Sequence, residues 1–249
     1  MPSDIRVSVC MATFNGERYV REQLDSILAQ LGADDELVIV DDASSDSTVR
    51  VLEDVGDSRV NVYPRTANGG YVSAFQEAIG RSKGRYVLFS DQDDVWIPGR
   101  VERMVGALDS NQVVASNMVI LGTDERPRWW MPDSQARQWR RNVVRIIAGI
   151  SGYYGCGMGF RRDFATVIVP FPEFLSESHD LWLALAGNLA HSIALVEEPT
   201  LRRRVHGENV TPTRPRSVGK VLAARVMLIR CILVLSRRLR RLKSTRRIP

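Results

Sequence analysis

Three carboxylates, Asp91, Asp93 and Asp94, come directly after a short apolar run at residues 86–90. Carboxylates this close together repel one another unless a cation lies among them, and their oxygens suit a hard divalent ion. Ligands of open α/β sheets bind beyond the carboxyl ends of the strands, which is where this cluster falls. The spacing therefore predicts a site for Mg²⁺ or Mn²⁺ that could carry the phosphates of a nucleotide.

Two other predicted strands of the first half also end in polar groups. Thr13, Phe14 and Asn15 follow the first strand, and Asp41 with Asp42 follows the second. In a doubly wound sheet such ends lie side by side along one edge. That edge could hold a base and ribose at one end and a metal-bound diphosphate at the other. Taken singly, the acidic turns are also typical of helix caps, and Phe14 of a core aromatic.

Strand and helix patterns alternate along the first half of the chain. Short apolar runs predict strands at residues 5–11, 36–40, 60–63 and 86–90. Apolar residues at three- and four-residue intervals predict helices at residues 16–31, 46–55, 71–81 and 98–109. This alternation predicts an α/β fold with a doubly wound, mostly parallel sheet flanked by helices.

The pattern of the second half is weaker. Residues 122–142 predict a loop rich in tryptophan and arginine. The remaining candidates are a helix at residues 179–189 and strands at residues 112–121, 154–161, 192–196 and 200–205.

Charge divides the chain into an acidic body and a basic tail. The net charge is +5, but residues 209–249 hold 12 of the 34 Lys and Arg residues and no Asp or Glu. The body therefore keeps 22 basic side chains against 29 acidic ones. The excess of positive charge belongs to the tail, and no recognisable nucleic-acid-binding module accompanies it. We expect no nucleic-acid partner.

The tail predicts an amphipathic helix, with an apolar stripe at Val221, Ala224, Leu228, Cys231, Ile232, Leu235, Leu239 and Leu242. Charges at Lys220, Arg225 and Arg230 interrupt the apolar run and argue against a membrane-spanning segment. A stripe beside a positive cluster favours an interfacial helix on an anionic membrane surface. Packing of the stripe on the rest of the chain, or on a partner subunit in a homodimer, is the alternative.

The three strand-end motifs together resemble family 2 glycosyltransferases of the GT-A fold. They are VCMATFNG at residues 9–16, VDDASSD at residues 40–46 and SDQDDVW at residues 90–96. The last of them is similar to the bacterial rhamnosyltransferase-like branch of the family. Looser matches occur in the second half, at residues 178–180 and 204–209.

The resemblance implies roles for the donor side of the site. The nucleotide and donor sugar would contact Thr13, Phe14, Asn15, Asp41, Asp42, Arg65, Asn68, Gly70, Asp91 and Gln92. Phe14 would stack on the base, and Asp42, or Asp41 in its place, would accept a hydrogen bond from the base edge. Asp91 and Asp93 match the DxD carboxylates, with Asp93 as the direct ligand of Mg²⁺ or Mn²⁺. His206 matches a histidine that in some members reaches the metal or the diphosphate.

The resemblance also implies a catalytic base and an acceptor side. Asp180 matches the position of the base, and the apolar residues after it could raise its pKa. A helix cap is the structural alternative for Asp180, as solvent-facing packing is for His206. Acceptor contacts would come from Trp129, Trp130, Gly157 and Met158. The tryptophans lie among arginines, a pattern that also fits an ordinary amphipathic flap.

These features predict an inverting, metal-dependent glycosyltransferase of bacterial surface polysaccharide synthesis. It would move a sugar, with rhamnose favoured by the branch, from a nucleotide-diphosphate donor to a glycan or lipid-linked acceptor. Residues 1–110 would bind the donor, residues 111–212 would supply the acceptor site and base, and residues 213–249 would form the tail. A polar N-terminus and three scattered cysteines favour the cytoplasm, with peripheral attachment to the inner face of the membrane.

Two other classes of function fit parts of the pattern. A sugar-phosphate nucleotidyltransferase usually carries a glycine-rich basic loop after its first strand, where this chain has TFNGE at residues 13–17. A nucleotide-sugar-binding module without turnover should lack a functional Asp93 or Asp180, and both are present. No G-x-G-x-x-G follows the first strand, which argues against a dinucleotide oxidoreductase.

Overall fold

One sheet runs through the part of the chain that the computed structural model describes, residues 5–206 and 217–245. Its strands are β1 (Val7–Thr13), β2 (Asp35–Asp41), β3 (Val60–Pro64), β4 (Tyr86–Ser90), β5 (Val95–Trp96), β6 (Val113–Ile120), β7 (Met158–Arg161) and β8 (Ile193–Arg203). The α-helices are α1 (Val20–Leu28), α2 (Thr48–Glu53), α3 (Tyr71–Arg81), α4 (Arg100–Asp109), α5 (Trp139–Ala148), α6 (Ala165–Ile168), α7 (His179–Leu189) and α8 (Val218–Thr245). Short 3₁₀ helices lie at Asp133–Arg137, Gly155–Gly157 and Arg162–Phe164.

The sheet is mixed but mostly parallel, in the order β3-β2-β1-β4-β7-β6-β8-β5. β1 lies parallel to β2 and β4, β2 to β3, and β6 to β8. β7 runs antiparallel to β4 and β6, and β5 antiparallel to β8. The α/β prediction is confirmed. In the β1–β2 register Thr13 lies opposite Asp41, so the motifs after these strands share one edge of the sheet.

Both faces of the sheet are covered by helices, because the central strands are apolar on both sides. In β1, Cys10 belongs to one core layer, whereas Val9 and Met11 belong to the other. The first layer includes residues of α3, α7 and α8, and the second includes residues of α1 and α4. Such two-sided burial is typical of parallel sheets.

The second half differs in places from the sequence prediction. The strands expected at residues 192–196 and 200–205 are one strand, β8. Glu197, Glu198 and Pro199 break the apolar pattern, and the chain accommodates them by a register shift against β6 near Asn117. The loop expected at residues 122–142 contains a 3₁₀ helix and the start of α5. β7 begins only at Met158, since a 3₁₀ turn occupies the preceding residues.

The tail is helical, as predicted, but its apolar stripe has a different role from the one favoured above. Leu228, Cys231, Leu235 and Leu239 of α8 are buried in the core layer that contains α7. From Leu228 onward the stripe therefore packs on the chain itself, which was the alternative interpretation, whereas Val221 at its start is exposed. The residues 207–216 and 246–249 lie outside the described part. Within the described part, no helix combines the length and apolar character needed to cross a bilayer.

Candidate active site

A cavity of about 690 Å³ lies at the sheet edge where the strand-end motifs meet. It is lined by most of the side chains predicted for the donor, metal and base: Thr13, Phe14, Asn15, Asp42, Asn68, Gly70, Asp91, Gln92, Asp93, Asp180 and His206. These residues come from six separate segments of the chain. The fold thus brings the two halves of the predicted site to one place.

At the end of β1, Thr13 is hydrogen-bonded to Asp41, whereas the side chain of Phe14 is exposed. Thr13 Oγ1 donates to Asp41 Oδ2 at 2.8 Å, and both residues are buried. Asp41 also accepts hydrogen bonds from the amide and hydroxyl of Ser44, which leaves it a structural role behind the cavity. Phe14 is 46% exposed and lines the cavity, so it is not a core aromatic. Its ring is placed where a flat base could stack.

Asp42 lines the cavity and is held by two backbone amides and one guanidinium. Gly69 and Gly70 donate to its carboxylate at 2.9 and 2.7 Å, and Arg65 Nη1 donates at 2.9 Å. Gly70 has a φ of +84°, a conformation that glycine adopts without strain. Arg65 is also bonded to Glu77 and Ser73, and it is not among the cavity-lining residues. Its part is therefore to orient Asp42.

Gln92 joins the acidic turn to the first strand end. The amide of Phe14 donates to Gln92 Oε1 at 2.8 Å, and Gln92 Nε2 donates to the Phe14 carbonyl at 3.0 Å. From the other side, Gln23 of α1 donates to Ser90 Oγ and to the Asp91 carbonyl. These bonds fix the backbone of the turn that carries the carboxylates.

The acidic turn holds carboxylates that repel one another. Burial, together with the nearby carboxylates of Asp94 and Asp93, raises the pKa of Asp91 well above its ordinary value. Burial and the charge of Asp93 raise the pKa of Asp94 to about 6. Asp94 Oδ1 accepts a hydrogen bond from the amide of Arg204 at 3.1 Å. Bringing a cation into such a cluster would relieve the repulsion and favour the ionised forms.

The donor atoms at this turn fit a hard divalent cation. Ligand atoms of Asp91, Asp94 and Cys156 lie within 4.8 Å of one another, and Asp93 Oδ2 lies 2.7 Å from His206 Nε2. Burial raises the pKa of the Cys156 thiol well above its ordinary value, so the thiol stays protonated and is a poor ligand for Mg²⁺ or Mn²⁺. The carboxylates of Asp91 and Asp94, together with Asp93 and the adjacent His206, remain as the candidate ligands. Asp94 Oδ2 is buried and has no hydrogen-bond partner within residues 5–206 and 217–245, so it too could contact a cation.

Asp180 lies in the first turn of α7 and faces the same cavity. Burial raises the pKa of its carboxyl to about 6, although a hydrogen bond from the Leu181 amide to Oδ1, at 2.8 Å, works against the rise. The loop before α7 is held by Tyr71, whose hydroxyl accepts from the Ser178 amide at 3.0 Å. A carboxylate with a pKa near neutrality is suited to take a proton.

His179, beside Asp180, also lines the cavity. Its ring stacks on Phe75 at 4.5 Å, and burial lowers its pKa to about 4, so it is neutral. Neither ring nitrogen has a hydrogen-bond partner within residues 5–206 and 217–245. A Cβ on Gly155 would come within 2.7 Å of Nε2, so a glycine is needed there.

The predicted acceptor residues lie away from the cavity lining. Gly157 ends the 3₁₀ helix before β7, Met158 begins β7, and both are buried. Trp129 and Trp130 lie on the segment after β6. The segment just before Gly157 does line the cavity, through Tyr154, Gly155 and Cys156. Sequence reasoning also missed Tyr19, Tyr71 and Arg203. A sequence signal for Arg203 did exist, since it is a charged residue within the strand predicted at residues 200–205, three residues before His206.

The comparison with protein families agrees with this geometry. The sequence profile of glycosyl transferase family 2 matches residues 8–168, well over half of the chain. The chain belongs to this family. An uncharacterized glycosyltransferase from Rickettsia prowazekii is 26% identical over 212 residues, which are 83% of this chain and 66% of that protein.

A second family relative has a more specific name. An Escherichia coli UDP-Glc:α-D-GlcNAc-diphosphoundecaprenol β-1,3-glucosyltransferase is 31% identical over 110 residues, or 44% of each protein. The chain thus spans 66% and 44% of the lengths of these two curated relatives.

Two solved structures share the fold of this chain. TarS of S. aureus in complex with UDP-GlcNAc is 20% identical, with a TM-score of 0.68, covering 90% of this chain and 66% of TarS 1–349. Glucosyl-3-phosphoglycerate synthase of Mycobacterium tuberculosis, with Mn²⁺, UDP and phosphoglyceric acid, is 19% identical, with a TM-score of 0.58. That match covers 93% of this chain and 78% of the synthase. The expected GT-A-type fold is confirmed.

Proposed function

We propose that this family 2 protein is an inverting, metal-dependent glycosyltransferase. It would transfer a sugar from a nucleotide-diphosphate donor to a hydroxyl of a glycan or lipid-linked acceptor. The observation that carries the proposal is the shared cavity: it joins an exposed aromatic, the acidic turn and a carboxylate with a raised pKa. Each supplies a different requirement of the reaction, namely base binding, diphosphate binding and proton removal.

The donor would lie along the sheet edge. Its base would stack on Phe14 and donate a hydrogen bond to the carboxylate of Asp42, whose orientation Arg65 and the amides of Gly69 and Gly70 fix. Its diphosphate would reach the turn that holds Asp91 and Asp93. When bound there, a divalent cation supplies the positive charge that stabilises the departing diphosphate.

The transfer itself needs one base and one displacement. The acceptor oxygen forms a bond to the anomeric carbon while the bond from that carbon to the diphosphate oxygen breaks. The hydroxyl proton passes to Asp180, and the electron pair of the broken bond leaves with the nucleoside diphosphate. A single displacement inverts the anomeric configuration. Asp91 and Asp93 are poorer bases, since a cation would hold them ionised.

The names of one relative and one structural neighbour support a proposal for the substrates. The E. coli relative is named for a UDP-glucose donor and an acceptor linked to undecaprenol through a diphosphate. TarS binds UDP-GlcNAc. We therefore propose a uridine-diphosphate sugar and a lipid-linked acceptor reached from the cytoplasmic face of the membrane. Transfer of rhamnose, which the motif at residues 90–96 favours, is the alternative. A donor screen would distinguish it from transfer from a uridine-diphosphate sugar.

The test is a donor screen followed by a transfer assay. Purified protein with Mn²⁺ or Mg²⁺ is heated with UDP-glucose, UDP-N-acetylglucosamine or dTDP-rhamnose, since a ligand that binds only the native state raises the unfolding temperature. The stabilising donor is then incubated with a diphosphate-lipid glycan, and the product linkage is assigned by NMR. We expect a metal-dependent shift with one donor and a product of inverted configuration. Stabilisation by a nucleoside triphosphate and a sugar phosphate alone would instead indicate a nucleotidyltransferase.

A further inference from the structure

Helix α8 carries a second apolar stripe that the core does not cover. Val218, Leu222, Val226, Ile229 and Leu233 follow one another at intervals of four, four, three and four residues. This spacing places them on one side of an α-helix. All five are between 50% and 77% exposed, so the stripe is open along about four turns.

This stripe is separate from the one that packs on the chain. The buried side of α8 is formed by Leu228, Cys231, Leu235 and Leu239, which contribute to the core layer with α7. One apolar side of the helix is therefore sufficient to hold α8 in place. The second stripe has no role in the fold of the described residues, and a line of exposed large apolar side chains marks an interaction surface.

The charge of α8 points to the kind of partner. The helix carries eight Lys and Arg residues and no Asp or Glu. Arg230, Arg237, Arg240 and Arg241 are exposed, and they lie beside the stripe or beyond its C-terminal end. A second copy of the chain would bring the same positive charges face to face, which opposes a symmetric dimer through this surface. An anionic bilayer surface offers both an apolar layer and negative charge.

We propose that the stripe of Val218, Leu222, Val226, Ile229 and Leu233 docks α8 in the interfacial plane of an anionic membrane. The opposite side of the helix stays packed on α7, whose first turn contains Asp180. This inference deepens the proposed function, because a lipid-linked acceptor requires the cavity to work near a bilayer. The docking itself involves no substrate and can be tested without one.

The experiment is vesicle co-sedimentation of the full chain in the absence of substrates. Vesicles of phosphatidylcholine alone are compared with vesicles containing one quarter phosphatidylglycerol. The stripe variant is Leu222→Ser, Val226→Ser, Ile229→Ser and Leu233→Ser. The charge variant is Arg237→Gln, Arg240→Gln and Arg241→Gln. Its matched control, Arg21→Gln, Arg50→Gln and Arg103→Gln, removes the same charge from partly or largely exposed side chains on α1, α2 and α4.

We expect the wild type to bind the anionic vesicles at least about tenfold more tightly than the neutral ones. The stripe and charge variants should each lose at least about tenfold in binding to anionic vesicles, while the matched control keeps most of it. Circular dichroism and unfolding temperature should show that the variants fold, since the changed side chains are exposed. Raised salt should weaken binding of the wild type.

Other results would overturn the proposal. Equal binding to both vesicle types, or full binding by the stripe variant, would remove this surface as the docking site. Sedimentation equilibrium that shows a wild-type dimer lost in the stripe variant would assign the stripe to a second copy instead. Transfer to a short soluble acceptor should be equal in wild type and stripe variant. If neither transfers while the wild type binds vesicles, the proposed function fails and the docking stands.

Discussion

The proposed donor side and the proposed acceptor side of the cavity differ in how their polar groups are satisfied. On the donor side, Asp41, Asp42 and Gln92 already have well-formed hydrogen bonds to neighbouring residues. On the acceptor side, Asp180 has a pKa raised to about 6, and the ring nitrogens of His179 have no hydrogen-bond partner in the described part of the chain. The base-binding end of the proposed donor side is prearranged. The acceptor side and the acidic turn instead keep groups whose partners would come with the substrates or the metal.

The difference has a physical reason. A nucleotide is recognised by shape and by fixed polar atoms, so a rigid frame lowers the entropy lost on binding. A base must change its protonation state during the reaction, so it works best in a setting that does not favour either state strongly. The four predictions below test this contrast, beginning with the variant that should have the largest effect.

Asp180→Asn should abolish proton removal without disturbing the donor side. We expect the transfer rate to fall by about 10³-fold, since general-base catalysis contributes about 10²- to 10⁴-fold. The donor-induced rise in unfolding temperature should stay as in the wild type. A parallel loss of donor binding would show that Asp180 maintains the structure of the site and would contradict its role as the catalytic base.

Asp93→Asn should weaken metal binding at the acidic turn. We expect about a 10²-fold loss of transfer, because stabilisation of the departing charge typically contributes that much. The titration of stability with Mn²⁺ should shift to higher concentration. His206→Gln should lower the metal affinity too. The double variant should lose less binding free energy for the metal than the two single variants together, because the side chains are 2.7 Å apart. Additive losses would show that the two residues act separately.

Phe14→Ala should affect donor affinity alone. Stacking of a base on an aromatic ring contributes about 1–3 kcal/mol, so the Kd of the donor should rise about thirtyfold. The unfolding temperature without ligand should change little because the ring is 46% exposed. Phe14→Tyr, which keeps the ring, is the control. If both variants bind the donor normally, the nucleotide base does not stack on Phe14.

Lowering the pH should reduce transfer through Asp180. Its carboxyl has a pKa raised to about 6 by burial, and only the ionised form can accept the proton. With saturating metal and donor, the rate should therefore be nearly constant above pH 7 and about tenfold lower at pH 5. Donor binding measured over the same range checks that the site remains intact. A rate that is flat down to pH 5 would exclude a base with this pKa.

The donor side could be predicted from sequence because each motif is local. Thr13, Asp42 and Asp91 follow apolar runs that predict strands, and parallel pairing then brings the strand ends together. The acceptor side is assembled from distant segments, and contacts such as Gly155 against His179 have no local sequence pattern. Glu197, Glu198 and Pro199 inside β8 led to a prediction of two strands instead of one. The pairing of β8 with β6, a contact between distant segments, keeps the strand continuous there.

The tail shows a related limit. Periodicity identified α8 and the stripe that includes Leu228 and Leu235, but it could not tell which side of the helix the core would cover. Only the packing of α8 against α7 shows that this side is internal and that the stripe of Val218, Leu222, Val226, Ile229 and Leu233 is external. An apolar pattern predicts burial of a surface but does not name the partner.

Arg100 has a consequence for how such a chain could acquire new acceptors. Its buried guanidinium stacks on Trp96 at 4.5 Å and donates to the carbonyls of Phe89 and Cys156 and to the Thr200 hydroxyl. A carbonyl is present whatever the side chain, so the bond to Cys156 depends little on the residue type at that position, whereas the bond to Thr200 needs a hydroxyl. The cavity wall near residue 156 could therefore vary, in a natural or designed chimera, while this joint between the two halves survives.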